Sequence, residues 1–171
     1  DFKGDIGVYV KDLRSDKVVQ INADTVFPTA SIVKVPILVG IMDKINRGEL
    51  SYQQPLTYRD SLLYAGVDIL GSFKQDEKIA MSKVMMLMLT TSDNTASLWL
   101  QSLAGTGTRI NELMDSLGLK HTRVNSRTPG REAIRLQYGW GQSTPKEMAT
   151  LFEKIYKGEV VSPAASDKML R

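Results

Sequence analysis

The chain has 171 residues, 42% of them apolar and 24% charged, with a formal net charge of +3. This is the composition of one ordinary globular unit with a real core, and its scattered Lys and Arg form neither a basic run nor a basic-aromatic stripe for nucleic acid. Zero cysteines and a single histidine exclude disulfides, thiolate or multi-histidine metal sites and cysteine nucleophiles; no apolar run reaches the length of a membrane span, since residues 33–42 are short and interrupted by Lys34 and Pro36.

Residues 6–12 and 17–22 are β-rich runs joined by Leu13-Arg14-Ser15-Asp16 and predict a hairpin. Two strands do not make a stable sheet alone and need partners or covering helices. Residues 23–28 form a crossing loop that delivers the chain to Ser31. The spacing predicts a helix from there to about residue 47, stopped by Gly48. Ile32, Val33, Val35, Ile37, Leu38, Val39, Ile41 and Met42 make it apolar nearly all round, hence buried. Pro36 sits close to the first turn, where a missing N–H costs least.

Ser31 and Lys34 stand at i and i+3 and share a helix face. Burial would lower the lysine pKa by penalising its charged form. A serine beside such an amine is what a serine acyl-transfer enzyme needs. The bland alternative is equally concrete: Ser31 as a helix N-cap and Lys34 snorkelling to solvent.

A polar connection follows, with Pro55, Tyr58, Tyr64 and Gly66, and residues 69–73 read as a short helical turn or a loop. Residues 79–91 predict a second apolar helix with Ser82 near its start; Met81, Met85, Met86 and Met88 are expected to pack in the core. Ser92-Asp93-Asn94 breaks the pattern, as a capping turn would. Residues 95–104 resume as a third helix ended by Gly105 and Gly107. Residues 108–117 form a fourth, with Ile110, Leu113, Met114 and Leu117 on one face. Residues 121–143 show no period and carry Pro129, Gly130, Gly139 and Gly141; an irregular stretch of that length is usually a functional loop. His121, at its start, is expected to be solvated, which leaves lysine as the better base for a nucleophilic serine. Thr144 as N-cap, Pro145 and Glu147 open a fifth helix to residue 156, and residues 162–171 begin another. The whole reads as a helical body with a hairpin at its start.

S-x-x-K followed about sixty residues later by S-D-N at a helix-to-helix turn is a known catalytic pairing. The stretches Phe27-Pro-Thr-Ala-Ser-Ile-Val-Lys-Val-Pro, Leu87-Met-Leu-Thr-Thr-Ser-Asp-Asn-Thr-Ala and Ser143-Thr-Pro-Lys-Glu-Met-Ala resemble class A serine β-lactamases and, more broadly, the penicillin-recognising serine hydrolases. The resemblance runs from the hairpin to the Thr144-Pro145 helix. It implies an α/β (α+β) serine β-lactamase/DD-peptidase-like fold, with residues 1–27 the hairpin of the α/β lobe, 28–158 the helical lobe and 159–171 the start of a returning helix. It implies that Ser31 attacks the lactam carbonyl, Lys34 helps to deprotonate it, Ser92 relays a proton to the leaving nitrogen and Asn94 hydrogen-bonds the substrate amide. Asp93 would hold the turn, Tyr64 would wall the cleft, and the Ser31 N–H would be one oxyanion donor. No cofactor, metal or nucleic acid is implied. The substrate would be a β-lactam or peptidoglycan-like molecule and the location periplasmic or secreted, in bacteria.

Two departures qualify the resemblance. The family carries its deacylating glutamate in the long loop, as E-x-x-x-N after an arginine. Here Asn125-Ser-Arg-Thr-Pro-Gly-Arg-Glu places Thr128 or Pro129 there. Glu132 is the nearest carboxylate, either as a displaced base or as an ion-pair partner of Arg127, Arg131 or Arg135. The second departure is that no K-[ST]-G occurs, nor the later strands that would carry it. The chain is therefore expected to be one partial catalytic domain, a trimmed piece that opens abruptly at Asp1 and that alone lacks β-lactam turnover. The alternatives are a D-alanyl-D-alanine peptidase or penicillin-binding protein with slow deacylation, and a non-catalytic protein of the same fold.

Overall fold

The computed structural model describes residues 2–66 and 68–171. The hairpin forms as expected: β1 (Val8–Lys11) pairs antiparallel with β2 (Val18–Ile21), with Val8 opposite Ile21 and Lys11 opposite Val18. Among the described residues no third strand joins this pair, and Val10, Val18, Val19 and Ile21 remain exposed. A short β3 (Phe27–Pro28) then leads into a 3-10 turn over Ala30–Val33.

Helix α1 (Lys34–Asn46) begins one turn later than the sequence predicts, so Ser31 lies in the tighter turn and Lys34 at the first α-helical position. The helix runs through the core, burying Lys34 and every residue from Pro36 to Met42. Gly40 lets another helix approach: a Cβ there would stand 2.9 Å from Ile110 Cγ1 and 3.0 Å from Ala104 Cβ. Gly48, at φ +73°, terminates the helix region as read from the sequence.

Strands β4 (Pro55–Thr57) and β5 (Lys78–Ala80) pair antiparallel, with Leu56 opposite Ile79. This corrects the expectation of a helix from residue 79. Ala80 is extended, and α2 (Met81–Thr90) starts directly after it without a side-chain cap. The carbonyls of Gln54 and Tyr52 accept from Met81 N and Ser82 N instead, and so satisfy orphan donors of the first turn. Met81, Met85 and Met88 are buried as expected, whereas Met86 is 52% exposed, because it falls on the opposite helix face.

Helix α3 (Asn94–Leu103) and α4 (Thr106–Ser116) complete the central bundle. Residues 121–143 are more ordered than their lack of period suggests. They hold β6 (Arg123–Val124), the short α5 (Glu132–Tyr138) and β7 (Gly141–Ser143), and β7 sits between β3 and β6 in a small sheet. Strands of two or three residues carry no detectable alternation, and α5 buries none of its residues, so no apolar stripe marks it. Helix α6 (Pro145–Tyr156) starts as predicted: the Thr144 side chain accepts from Glu147 N and Pro145 occupies the first turn. Helix α7 (Pro163–Leu170) follows, capped by Ser162.

Candidate active site

The backbone presents Ser31 and Ser92 through uncommon conformations. Ala30, just before Ser31, has φ 44°, and Ser92 itself has φ 58°. Non-glycine residues in this left-handed region are strained, and such residues gather at functional sites. The 3-10 turn holding Ser31 is braced by β7. Thr29 N donates to Gly141 O, and a Cβ on Gly141 would stand 2.4 Å from Val33 Cγ2, so only glycine admits this contact.

Four side chains from two segments meet here. Lys34 Nζ donates to Ser92 O at 2.6 Å, Ser92 Oγ at 2.7 Å and Asn94 Oδ1 at 3.1 Å, and lies 3.4 Å from Ser31 Oγ. Ser92 Oγ donates to Ser31 Oγ over 2.8 Å. Ser31 and Ser92 are exposed, whereas Lys34 is only 3% exposed. The bland readings of this pair therefore fail: Lys34 does not snorkel, and Ser31 caps no helix, since Thr29 precedes its turn and Val33 precedes α1.

Burial lowers the Lys34 pKa, and the negative charges of Asp68 and Asp93 work the other way. Desolvation is the larger effect, so the amine is easier to deprotonate than a free lysine. A neutral amine keeps a lone pair that can take the Ser31 proton, while an ammonium has only donors to offer.

The capping reading of S-D-N is right for its middle residue. Asp93 is 2% exposed; one carboxylate oxygen accepts from Ala96 N at 2.8 Å and the other from Leu70 N at 3.0 Å. It thereby fixes the start of α3 and leaves Ser92 and Asn94, on either side, turned to the lysine. Tyr64 lies alongside: its N–H donates to Thr95 Oγ1 at 3.0 Å, and its ring meets Trp140 edge to face, 5.1 Å between centroids.

Glu132 is not brought to the cluster. It is exposed at the start of α5, where its carboxylate accepts from Gly130 N at 3.2 Å. It lines a cavity of about 340 Å³ with Asn125, Arg127, Thr128, Pro129 and Arg135, none of them from the serine–lysine group. The ion-pair alternative is not seen either among the described residues: Arg131 donates to Asn125 Oδ1 and Gln142 Oε1 instead. His121 is exposed, with its backbone N–H on the Glu147 carboxylate.

Two site residues escaped sequence reading. Asp68 accepts from both Thr95 N at 2.7 Å and Thr95 Oγ1 at 3.0 Å, and Trp140 packs on Tyr64. Trp140 left one signal, an aromatic between two glycines inside a long loop; Asp68 left none. Among the described residues no cluster of three or more metal-ligating side chains occurs.

Comparison with known proteins identifies the fold and the family. The solved structure of PBP-A superposes with a TM-score of 0.82 at 32% identity, over 95% of this chain and 59% of that one. A β-lactamase structure from Chitinophaga pinensis gives 0.85 at 23% identity, over 98% and 64%, which speaks for the fold. The β-lactamase CARB-3 of Pseudomonas aeruginosa is 22% identical over 164 residues, 96% of this chain and 57% of that protein. The chain thus spans under two thirds of the length of these relatives. The family model described as "Beta-lactamase enzyme family" matches residues 1–171, and the chain belongs to that family, as its class A resemblance implied.

Proposed function

We propose that this protein is a serine hydrolase that opens β-lactams through an acyl-enzyme on Ser31. The observation that carries this reading is the triangle of Lys34 Nζ, Ser92 Oγ and Ser31 Oγ, with sides of 2.7, 2.8 and 3.4 Å. Neutral Lys34 takes the Ser31 proton, directly or through Ser92, as the Ser31 oxygen adds to the lactam carbonyl. The tetrahedral intermediate collapses, the C–N bond breaks, and Ser92 hands its proton to the departing nitrogen while Lys34 returns one to Ser92. The Ser31 N–H lies in the first turn of its helical segment, where backbone donors lack intrahelical acceptors and can hold an oxyanion. Asn94, already at the cluster, keeps its amide N–H₂ for the substrate.

The experiment is labelling with a fluorescent penicillin. The intact protein should take one label per chain, and Ser31→Ala should take none. Labelling that survives Ser31→Ala would overturn the assignment.

A second reading concerns the fate of the acyl-enzyme. Glu132 is committed to its own helix start, and no bond joins it to Ser31, Lys34 or Ser92 among the described residues. A solved relative at 32% identity, a mutant of PBP-A, is described as an acyl-enzyme complex with penicillin-G. The first of these favours slow release, the behaviour of a penicillin-binding protein or D-alanyl-D-alanine peptidase, and the second supports the acyl-enzyme itself. Release of label over hours supports it; release within seconds supports a lactamase. Two of the relatives named above come from bacteria, and a substrate of the cell-wall class would be met in the periplasm or outside the cell.

A further inference from the structure

We infer that Trp140 determines specificity: with Tyr64 it forms an aromatic clamp for the apolar side chain of the β-lactam's acyl group. This rests on the acyl-transfer reading above and extends it from the reacting atoms to the side chain they carry.

Placement comes first. The two rings come from segments on opposite sides of the serine–lysine cluster. Tyr64 is tied to the S-D-N side, its N–H bonded to Thr95 Oγ1, one residue after Asn94. Trp140 is tied to the Ser31 side, because Gly141 follows it and packs on Val33, the last residue of Ser31's turn, and on Thr29, the residue before that turn. The ring pair therefore bridges the two segments that carry the cluster.

Geometry comes next. The interplanar angle is 84° at a centroid separation of 5.1 Å. An edge-to-face pair leaves ring faces uncovered, where a stacked pair would use them up. Tyr64 is 36% exposed and Trp140 partly so, so open ring surface remains for a third apolar group.

Rigidity is the third element. The Trp140 carbonyl accepts from Asn125 N at 2.8 Å and Ser126 N at 3.0 Å, and its indole packs against the main core. A ring held this way loses little freedom on binding, which is why rigid aromatics make efficient contacts.

The test compares acylation of the intact protein by benzylpenicillin, which carries an aromatic side chain, and by 6-aminopenicillanic acid, which carries none. The ratio of the two rates cancels any loss of folded protein. Trp140→Ala should lower that ratio about tenfold, the order expected for losing one wall of an aromatic contact, and Trp140→Phe should keep most of it. A ratio unchanged in Trp140→Ala overturns the clamp. A wild-type protein acylated by neither compound overturns instead the acyl-transfer reading beneath it.

Discussion

The Lys34 amine nitrogen stands closer to the Ser92 hydroxyl, at 2.7 Å, than to the Ser31 hydroxyl, at 3.4 Å, and Ser92 spans the difference with its own 2.8 Å bond to Ser31. Ser92 is therefore the shorter route between amine and nucleophile. Ser92→Ala should slow acylation by about 10²-fold or more, the usual range for losing a positioned proton carrier. Stopped-flow labelling with a fluorescent penicillin reads this directly. A loss under about fivefold would place the direct Lys34–Ser31 path first.

The pH dependence follows from Lys34. Its pKa is lowered by burial, with Asp68 and Asp93 holding it up in part. Acylation needs the neutral amine, so its rate should rise with pH and level off below the range of a free lysine. Asp68→Asn removes a negative charge that favours the ammonium, so the rise should move to lower pH. Stability moves in the same direction: between the lowered folded value and the ordinary 10.5 the unfolded chain binds more protons, so stability increases as pH rises through that window. Acylation rates and urea midpoints across a pH series check both statements. A rate profile that moves to higher pH in Asp68→Asn would contradict the assignment.

Glu132→Gln should leave acylation and release within about twofold of wild type, since the carboxylate serves the start of a surface helix worth about a few tenths of a kcal/mol. A collapse of release in that variant would restore Glu132 as the base.

Asp93→Ala should cost about 2–4 kcal/mol, combining a lost N-cap with a buried Leu70 N–H left without its acceptor. Urea denaturation of the intact protein measures it. Acylation should fall as well, because Ser92 and Asn94 take their places from the turn that Asp93 holds.

The grouping of Ser31, Lys34, Ser92 and Asn94 was legible in the sequence because the proposed acyl transfer needs hydroxyls and an amine at fixed spacing, and the structure brings these side chains together. The α6 start was readable because Thr144, Pro145 and Glu147 act within one turn. The β4–β5 pair was not: its three-residue strands are held by backbone bonds between segments far apart in the chain, and Ile79 continues the apolar run of the helix after it. The direction of Glu132 was illegible for a similar reason. A loop without period leaves side-chain direction to packing, and packing turned this carboxylate back on Gly130. Asp68 and Trp140 act through contacts with Thr95 and Tyr64, and no local pattern encodes those.

Ala30, at φ 44°, opens the Ser31 turn in a conformation that costs an alanine energy. An alanine there gives up about 1–2 kcal/mol that a glycine would not, and a glycine gives back about half of that as extra freedom in the unfolded chain. Ala30→Gly should therefore leave the protein slightly more stable, by under about 1 kcal/mol, and a poorer reagent toward penicillin. Thermal melting and the acylation rate, taken on one sample, should move in opposite directions. The left-handed alanine marks a position where selection for durability and selection for reactivity would choose different residues.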